Sequence, residues 1–213
     1  MDAYPSAKEF QMILTLAHTK GGVGKSTLAW HLAHSIGHGT TVIDLDFQQT
    51  IKYLNLMGGE PLNVIQPQTS EELITILQNI PSTQIVIIDV GGFDAAINRT
   101  AIEYSDLVVI PISDSVTEVI GFETFKDILS EIGSHAEVCM VLNNVHPLAR
   151  NFKDIEQAVY GTGFRILKNI IRSRKIYRTT MGDGKSVYHG AIDGTARSEI
   201  SGLKYELISP TRC

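Results

Sequence analysis

The sequence predicts a single-domain α/β fold in which a mostly parallel, twisted sheet carries helices on both faces. Apolar runs of strand length alternate with segments whose apolar residues recur at helical spacing. Several of these runs are wholly apolar, which is typical of strands buried on both faces of a parallel sheet. The 213 residues are 43% hydrophobic and 19% charged, a composition that supports a sizeable core. We expect one domain over 1–213, with 1–10 as a short N-terminal extension.

The elements follow from these patterns in chain order. The first strand is the apolar run Met12–Ala17, and the next helix begins near Lys25 and ends at the turn Gly37–Gly39. Further strands are predicted at 41–45, 63–66, 85–89, 106–111, 138–142 and 164–167. Further helices are predicted at 48–56, 70–78 and 95–104. The apolar residues from Val119 to Ile132 recur at helical spacing and predict another helix. One more helix is predicted between the strands at 138–142 and 164–167, and two are predicted after the strand at 164–167. We expect Ser70 to cap the helix that it begins.

A glycine loop joins the first strand to the first helix, with the sequence Lys20-Gly21-Gly22-Val23-Gly24-Lys25-Ser26-Thr27. Glycines allow positive φ and bring several backbone N–H groups onto one anion, and the start of the helix adds its positive end. In this context Lys25 is placed to reach the β- and γ-phosphates of a nucleotide, and the Ser26 hydroxyl to ligate Mg²⁺. The loop predicts a phosphate site at 20–27. The alternative is a glycine-rich turn without a ligand.

Acidic residues stand at the ends of two predicted strands. Asp89 follows four aliphatic residues, in the pattern of a Walker B aspartate, and its role would be to hold Mg²⁺ through a water molecule. Asp44 and Asp46 alternate along another strand, so their carboxylates are expected to point toward one site. Ligands of parallel sheets bind at these strand ends. The alternative for Asp89 is a helix cap or turn residue, and the alternative for Asp44 and Asp46 is a pair of solvated turn aspartates.

The glycine loop departs from the strict P-loop pattern, because Thr19 stands in place of a glycine and Lys20 adds a second lysine at the loop entrance. In this form it resembles the deviant Walker A motif of the ParA/MinD group of ATPases. The resemblance implies slow, Mg-dependent hydrolysis of ATP, with ATP and Mg²⁺ as cofactors. It also implies a homodimer formed on ATP binding, in which Lys20 reaches the partner's nucleotide.

Two polar segments extend the resemblance. The segment Asp44-Leu45-Asp46-Phe47-Gln48 is similar to the second motif of the ParA group, Asp-x-Asp-Pro-Gln, with Phe47 in place of proline. By this resemblance Asp46 would orient the attacking water, and Asp44 would support Mg²⁺ or the P-loop. Asn143 follows a predicted strand at a position where related P-loop proteins read the adenine edge, although the pair Asn143-Asn144 also suits a turn.

Later segments also resemble this group. Ser105–Pro111 is similar to its Ser-Asp-Leu-Val-x-x-Pro segment. Ile171–Tyr177, followed by Asp183–Val187, looks like the C-terminal signature of the small, ParF-like plasmid partition ATPases. The motifs span residues 12 to about 205, so the resemblance covers nearly the whole chain.

A basic run interrupts an otherwise acidic chain of net charge −5. Any binding to nucleic acid must therefore come from a local patch. The run contains no acid, and its cations are Arg165, Lys168, Arg172, Arg174, Lys175 and Arg178. On a surface these side chains would bind DNA phosphates without reading sequence. The alternative is a solvated face that binds nothing.

The resemblance and the basic run together predict an ATPase for the partition of plasmid or chromosomal DNA. The ATP-bound dimer would bind DNA non-specifically, and a ParB-like centromere-binding adaptor would stimulate hydrolysis and release. The alternative is that the same kind of ATPase positions another cargo, such as a conjugation complex. A P-loop metabolic ligase or kinase is a further alternative.

Targeting and cysteine patterns complete the predictions. The chain shows neither a basic-then-apolar signal pattern nor an apolar run of membrane-spanning length, so we expect a cytoplasmic protein without a membrane partner, nucleoid-associated when ATP-bound. The two cysteines form no Cys-x-x-Cys motif, which argues against an iron–sulfur cluster. Cys139 lies in an apolar run and is expected to be buried.

Overall fold

A computed structural model of the chain describes residues 11–58, 60–91, 95–113, 125–190 and 194–209. Strands and helices alternate through most of these ranges. The strands are β1 (Met12–Leu16), β2 (Thr40–Leu45), β3 (Asn63–Ile65), β4 (Ile85–Val90), β5 (Leu107–Ile112), β6 (Glu137–Val145), β7 (Arg165–Ile166) and β8 (Ile171–Arg172). The helices are α1 (Lys25–Ile36), α2 (Thr50–Met57), α3 (Ser70–Asn79), α4 (Ala96–Glu103), α5 (125–132 in its described part), α6 (Lys153–Val159), α7 (Lys175–Gly182) and α8 (Gly194–Ile208).

The strands form one sheet in the order β3-β2-β4-β1-β5-β6-β7, and β8 pairs with the end of β6. Every strand pair in the described ranges is parallel. In this register Asp89 of β4 lies beside Leu16 of β1 on one side and beside Asp44 of β2 on the other. The ends of β1, β2 and β4 therefore meet at one edge, where the loop after β1 begins.

Two apolar clusters cover the two faces of the sheet, and alternate residues of one strand divide between them. Leu14 of β1 belongs to a cluster with residues of α1, α2, α7 and α8. Its neighbour Ile13 belongs to a cluster with residues of α3, α4, α5 and α6. Trp30 of α1 and Phe125 of α5 are the largest side chains that are fully buried, one in each cluster. The predicted α/β fold with helices on both faces is confirmed.

Some local predictions need correction. Thr69, and not Ser70, caps α3, because the Thr69 side chain accepts a hydrogen bond from the Glu72 N–H at 3.2 Å. Asn143 does not follow a strand, since β6 continues through it to Val145. The two-residue strand β8 was not predicted. Residues 1–10, the predicted apolar positions Val119 and Phe122, and Cys213 lie outside the described residues.

Two other predictions can be compared with the structure. Cys139 is fully buried, as expected. In the described part of the chain, no helix is both long enough and apolar enough to cross a membrane.

Candidate nucleotide site

The loop between β1 and α1 has the backbone conformation of an anion-binding turn. Gly22 and Gly24 have positive φ angles of 77° and 94°, which residues with a Cβ atom rarely adopt. Gly24 is the N-cap of α1 and provides no side-chain cap for the first turn. The amide groups of that turn therefore face the open side of the loop, where a phosphate would bind.

The two lysines of the loop differ in exposure. Lys25 is only 6% exposed, and its Nζ donates a hydrogen bond to the Lys20 carbonyl at 3.4 Å. Burial lowers the pKa of Lys25, while the carboxylates of Asp89 and Asp46 act in the opposite direction. The Lys20 side chain is exposed at the loop entrance. Lys25 is therefore enclosed by its own chain, whereas Lys20 is accessible from outside.

Asp89 is the buried acid of the site. It is fully buried in β4, and neither carboxylate oxygen makes a geometrically acceptable hydrogen bond to a described residue. Burial raises the pKa of Asp89 to about 7, and the nearby Ser26 hydroxyl and the Lys25 ammonium act in the opposite direction. Buried carboxylate oxygens without partners are costly. Together with the Ser26 hydroxyl they are the oxygen ligands that fit Mg²⁺.

The raised pKa of Asp89 predicts a pH-dependent stability. Its native pKa of about 7 lies above the ordinary value of 3.8, so the native state holds an extra proton between these pH values and loses stability as pH rises through this range up to about 7. Without Mg²⁺ and nucleotide, we expect Asp89→Asn to be more stable than the wild type near pH 8. Its advantage should shrink toward pH 5 by at most about 1.4 kcal/mol per pH unit.

Urea unfolding of the wild type and of Asp89→Asn between about pH 5 and pH 8 measures the difference between their free energies of unfolding. The wild-type curve alone is not sufficient, because burial also lowers the pKa of His31 to about 3 and that of His34 to about 4. Those histidines destabilise the native state in acid, but their effect is the same in both proteins and cancels in the difference between the two unfolding free energies. A difference in unfolding free energy that stays constant between about pH 5 and pH 8 would contradict the raised pKa.

Asp44 and Asp46 have different surroundings. Asp44 is 3% exposed and accepts hydrogen bonds from the Asp46 N–H at 3.2 Å and the Lys52 N–H at 3.1 Å. Burial raises its pKa, and these amides lower it. Asp46 lies one residue beyond β2, and its Oδ1 accepts a hydrogen bond from the Gln48 N–H at 2.9 Å. Both carboxylates raise the pKa of Asp89, so the three aspartates share one site.

A cavity of about 180 Å³ lies beside the loop. Its walls come from the loop, the start of α1, the end of β6, β8, α7 and α8. The lining residues are Gly22, Val23, Gly24, Thr27, Leu28, His31, Asn143, Asn144, Ile171, Arg172, Arg174, Tyr177, Arg178 and Ile200. Lys25 and the three aspartates do not line it. The cavity is therefore a compartment apart from the carboxylates.

Asn143 connects the sheet to the phosphate loop. It is 5% exposed, and its Nδ2 donates a hydrogen bond to the Val23 carbonyl at 2.6 Å. A Cβ on Gly24 would collide with the same Nδ2 atom. The side-chain amide thus fixes the loop and lines the cavity. Contact between Asn143 and adenine remains a prediction, for which its Oδ1 is the available acceptor.

The cations of the basic run fall into two groups in the structure. Arg165 pairs with Glu137 and Arg174 with Glu199, each at 2.7 Å, and Arg172 donates to two backbone carbonyls. These three arginines are half-buried. The remaining three cations are exposed and have no ion pair with a described residue: Lys168, Lys175 and Arg178. Sequence reasoning missed Glu137 and Glu199, which lie far from the run along the chain.

The predicted C-terminal signature packs on α1. The Trp30 Nε1–H donates to the Lys185 carbonyl at 2.9 Å, and the Val187 N–H donates to His31 Nδ1 at 3.3 Å. Gly184 has a φ angle of 64°, and a Cβ there would meet backbone atoms of Met57 and Gly58. The segment therefore joins α1, whose first turn follows the loop, to the end of α2.

The parallel sheet and the loop after its first strand define a P-loop nucleotide-binding protein. A family model described as the CobQ/CobB/MinD/ParA nucleotide binding domain matches residues 14–187. The chain therefore belongs to this family, whose ParA/MinD members are nucleotide-binding ATPases.

Two relatives match along most of their length. The "Maintenance of carboxysome distribution protein A" of Halothiobacillus neapolitanus is 24% identical over 206 residues, which cover 92% of this chain and 95% of that protein. The "Protein ParA" of Rhizobium radiobacter is 25% identical over 188 residues, which cover 83% of this chain and 85% of that protein. The chain is thus related to a protein named ParA and to a protein named for carboxysome distribution.

Solved structures have the same fold. A plasmid partition protein of Borrelia burgdorferi bound to AMPPNP superimposes with a TM-score of 0.73 at 18% identity, covering 92% of this chain and 98% of that chain. The septum site-determining protein MinD of Pyrococcus horikoshii, complexed with Mg-ADP, superimposes with a TM-score of 0.68 at 14% identity, covering 94% and 97%. At these identities the structures support the fold alone.

Proposed function

We propose that the chain hydrolyses ATP with Mg²⁺, forms a homodimer when ATP is bound, and in that state binds DNA without reading its sequence. Its role is then the partition of plasmid or chromosomal DNA, with a ParB-like adaptor that stimulates hydrolysis and release. The observation that carries the proposal is the opposite exposure of Lys25 and Lys20 on one phosphate loop. A buried lysine serves the subunit's own nucleotide, and an exposed lysine at the entrance can reach that of a partner.

Phosphate binding belongs to the loop and Lys25. The amides that follow Gly22 and Gly24 donate to phosphate oxygens, and the Lys25 ammonium pairs with the β- and γ-phosphates. Ser26 and Asp89 would hold Mg²⁺, which when bound offsets the negative charge of the phosphates. Asp46, half-buried beside Asp89, orients the attacking water. Asp44 supports this arrangement by fixing the Asp46 and Lys52 amides.

The nucleoside belongs to the cavity on the other side of the loop. None of the described residues that line the cavity carries a carboxylate, and the cavity adjoins Gly22–Gly24. Because Lys25 and Asp89 mark the γ-phosphate end of the site, the cavity is the place for ribose and base. Asn143 is positioned there to meet the adenine edge with its Oδ1.

The exposed cations of the basic run provide the DNA contact. Lys168 and Lys175 are exposed and do not line the nucleotide cavity. Neutralising both should weaken ATP-dependent binding to random-sequence duplex by about tenfold or more. The slope of log affinity against log salt concentration should fall by about 2 for each subunit that contacts the duplex. Binding of Lys168→Ala/Lys175→Ala and of the wild type to duplex is measured with ATP, with ADP and without nucleotide, at several salt concentrations.

Lys153→Ala is the matched control, because Lys153 is an exposed cation on α6, which packs on the opposite face of the sheet. It should leave DNA affinity unchanged. Equal DNA affinity of the double variant and the wild type would exclude this surface from DNA binding. Arg174 is unsuitable for this test, because a change there also disrupts its ion pair with Glu199.

A second candidate function is the positioning of a cargo other than DNA. The observation that favours it is the relative named for carboxysome distribution, which matches 92% of this chain. Nucleotide binding and ATP-dependent dimerisation are the same in both candidates. A wild-type protein that dimerises with ATP but binds no DNA under any of the conditions above would favour the second candidate.

A further inference from the structure

One carboxylate of α8 holds three residues that line the nucleotide cavity. Glu199 Oε1 accepts hydrogen bonds from Arg174 Nη2 at 2.7 Å and Nε at 3.0 Å. Its Oε2 accepts from the Tyr177 hydroxyl at 2.8 Å and from the Arg172 N–H at 3.2 Å. Both oxygens are thus fully used, by donors on β8, on α7 and in the short link between them.

The residues that Glu199 holds all line the nucleotide cavity. Arg172, Arg174 and Tyr177 face the same compartment as Gly22–Gly24. The Glu199 side chain is only 12% exposed and that of Arg174 26%, so water does not readily replace the ion pair. Hydrogen bonds to charged groups that are removed from water contribute more than neutral ones. The shape of this wall therefore depends on Glu199, which does not itself line the cavity.

We propose that Glu199 is a positioning residue for the nucleoside end of the nucleotide site. It fixes the Arg174 guanidinium and the Tyr177 ring so that the wall is formed before the nucleoside enters. Binding then requires less ordering of these side chains. This inference rests on the proposed function, because it takes the cavity as the nucleoside compartment. It goes further in placing a determinant of nucleotide affinity on α8, outside the loop and outside the cavity.

Glu206 provides a closely matched control on the same helix. Its Oε1 accepts from the Lys168 N–H at 2.9 Å, and its Oε2 accepts from the N–H and the Nδ2 of Asn169 at 2.8 and 2.6 Å. Both of its oxygens are therefore used, as in Glu199. Neither Lys168 nor Asn169 lines the nucleotide cavity. The two glutamates thus hold different parts of the segment, and they also differ in their donors: Glu199 pairs with the Arg174 guanidinium, whereas Glu206 accepts from N–H groups of Lys168 and Asn169.

The test compares Glu199→Gln, Glu206→Gln and the wild type. Glutamine replaces one acceptor oxygen by a donor, so each variant must leave one group of donors unpaired. Calorimetric titration measures the affinity of each protein for ATP and for inorganic tripolyphosphate, which carries the phosphates without the nucleoside. We expect Glu199→Gln to lower ATP affinity by about tenfold, and to leave tripolyphosphate affinity within about twofold of the wild type. Glu206→Gln should leave both affinities unchanged.

Each other outcome contradicts the inference. Unchanged ATP affinity of Glu199→Gln would remove Glu199 from nucleotide binding. Equal losses in both variants would indicate general loosening of α8, and parallel losses for ATP and tripolyphosphate would indicate an effect on the phosphate loop. If the wild type binds ATP no better than tripolyphosphate, the cavity is not the nucleoside compartment, and if it binds neither, the proposed function fails.

A second variant keeps the inference testable if Glu199→Gln does not fold. Tyr177→Phe removes one donor to Glu199 and keeps the ring that lines the cavity. We expect a loss of ATP affinity of about threefold to tenfold, again without a change for tripolyphosphate. ATP affinity equal to that of the wild type would contradict the inference.

Discussion

Replacement of Lys25 by alanine is expected to abolish nucleotide binding, with a loss of ATP affinity greater than about a hundredfold. The ammonium is the buried cation of the phosphate loop and lies between the Lys20 carbonyl and the carboxylates of Asp89 and Asp46. Its removal takes away the charge that pairs with the β- and γ-phosphates and leaves the two acids uncompensated. Titration with ATP, by calorimetry or with a fluorescent analogue, measures the loss.

Lys20→Ala is the control for this experiment. Lys20 is exposed at the same loop, so its removal should leave ATP affinity within about twofold while it prevents ATP-dependent dimerisation. The fold should survive Lys25→Ala, because burial already disfavours the Lys25 charge and its pKa is lowered. Wild-type affinity of a folded Lys25→Ala protein would contradict the assignment of this loop as the phosphate site.

The fold could be predicted from the sequence where local pattern and tertiary burial agree. The run at 85–89 is wholly apolar up to its aspartate, and β4 is buried along nearly its whole length. The glycine loop was predictable for the same reason, since its glycines, the preceding strand and the following helix all require one conformation. The positive φ angles of Gly22 and Gly24 agree with that prediction.

The features that could not be predicted depend on single hydrogen bonds or on very short pairings. Thr69 and Ser70 are both good capping residues, and only the bond to the Glu72 N–H selects Thr69. The strand β8 has two residues, which is too short to show periodicity. The end of β6 is a third such feature, because the polar Asn143 indicates the end of an apolar run, whereas β8 pairs with β6 at this residue and β6 continues.

The electrostatics of the basic run show a different limit. The run contains no acid in sequence, but Glu137 and Glu199 reach it from β6 and α8. Neither glutamate carries a local signal that predicts its partner. Charge patterning along a chain therefore overestimates the free charge of a segment whose neighbours come from distant elements. The remaining candidates for DNA binding are fewer than the sequence indicated, and they are also the most exposed.

Replacement of Asp46 by alanine is expected to separate binding from hydrolysis. We expect ATP affinity to stay within about threefold of the wild type and turnover to fall by about a hundredfold or more. The carboxylate lies beside Asp89 at the edge of the sheet, close to Gly91, whose Cβ, if present, would lie 3.1 Å from the Asp46 Cα. Such close packing fixes the position from which a carboxylate can orient water. Phosphate release and the dimer population in ATP are the two measurements.

The Asp46→Asn variant shows whether turnover depends on the negative charge of Asp46 or on the turn that its side chain stabilises. Asparagine keeps an Oδ1 acceptor for the Gln48 N–H, so the turn after β2 is retained while the negative charge is lost. If Asp46 orients the water, both variants lose turnover and both accumulate the ATP-bound dimer. Turnover retained by asparagine but lost by alanine would assign Asp46 a structural role in the turn. Unchanged turnover in both variants would remove Asp46 from the mechanism.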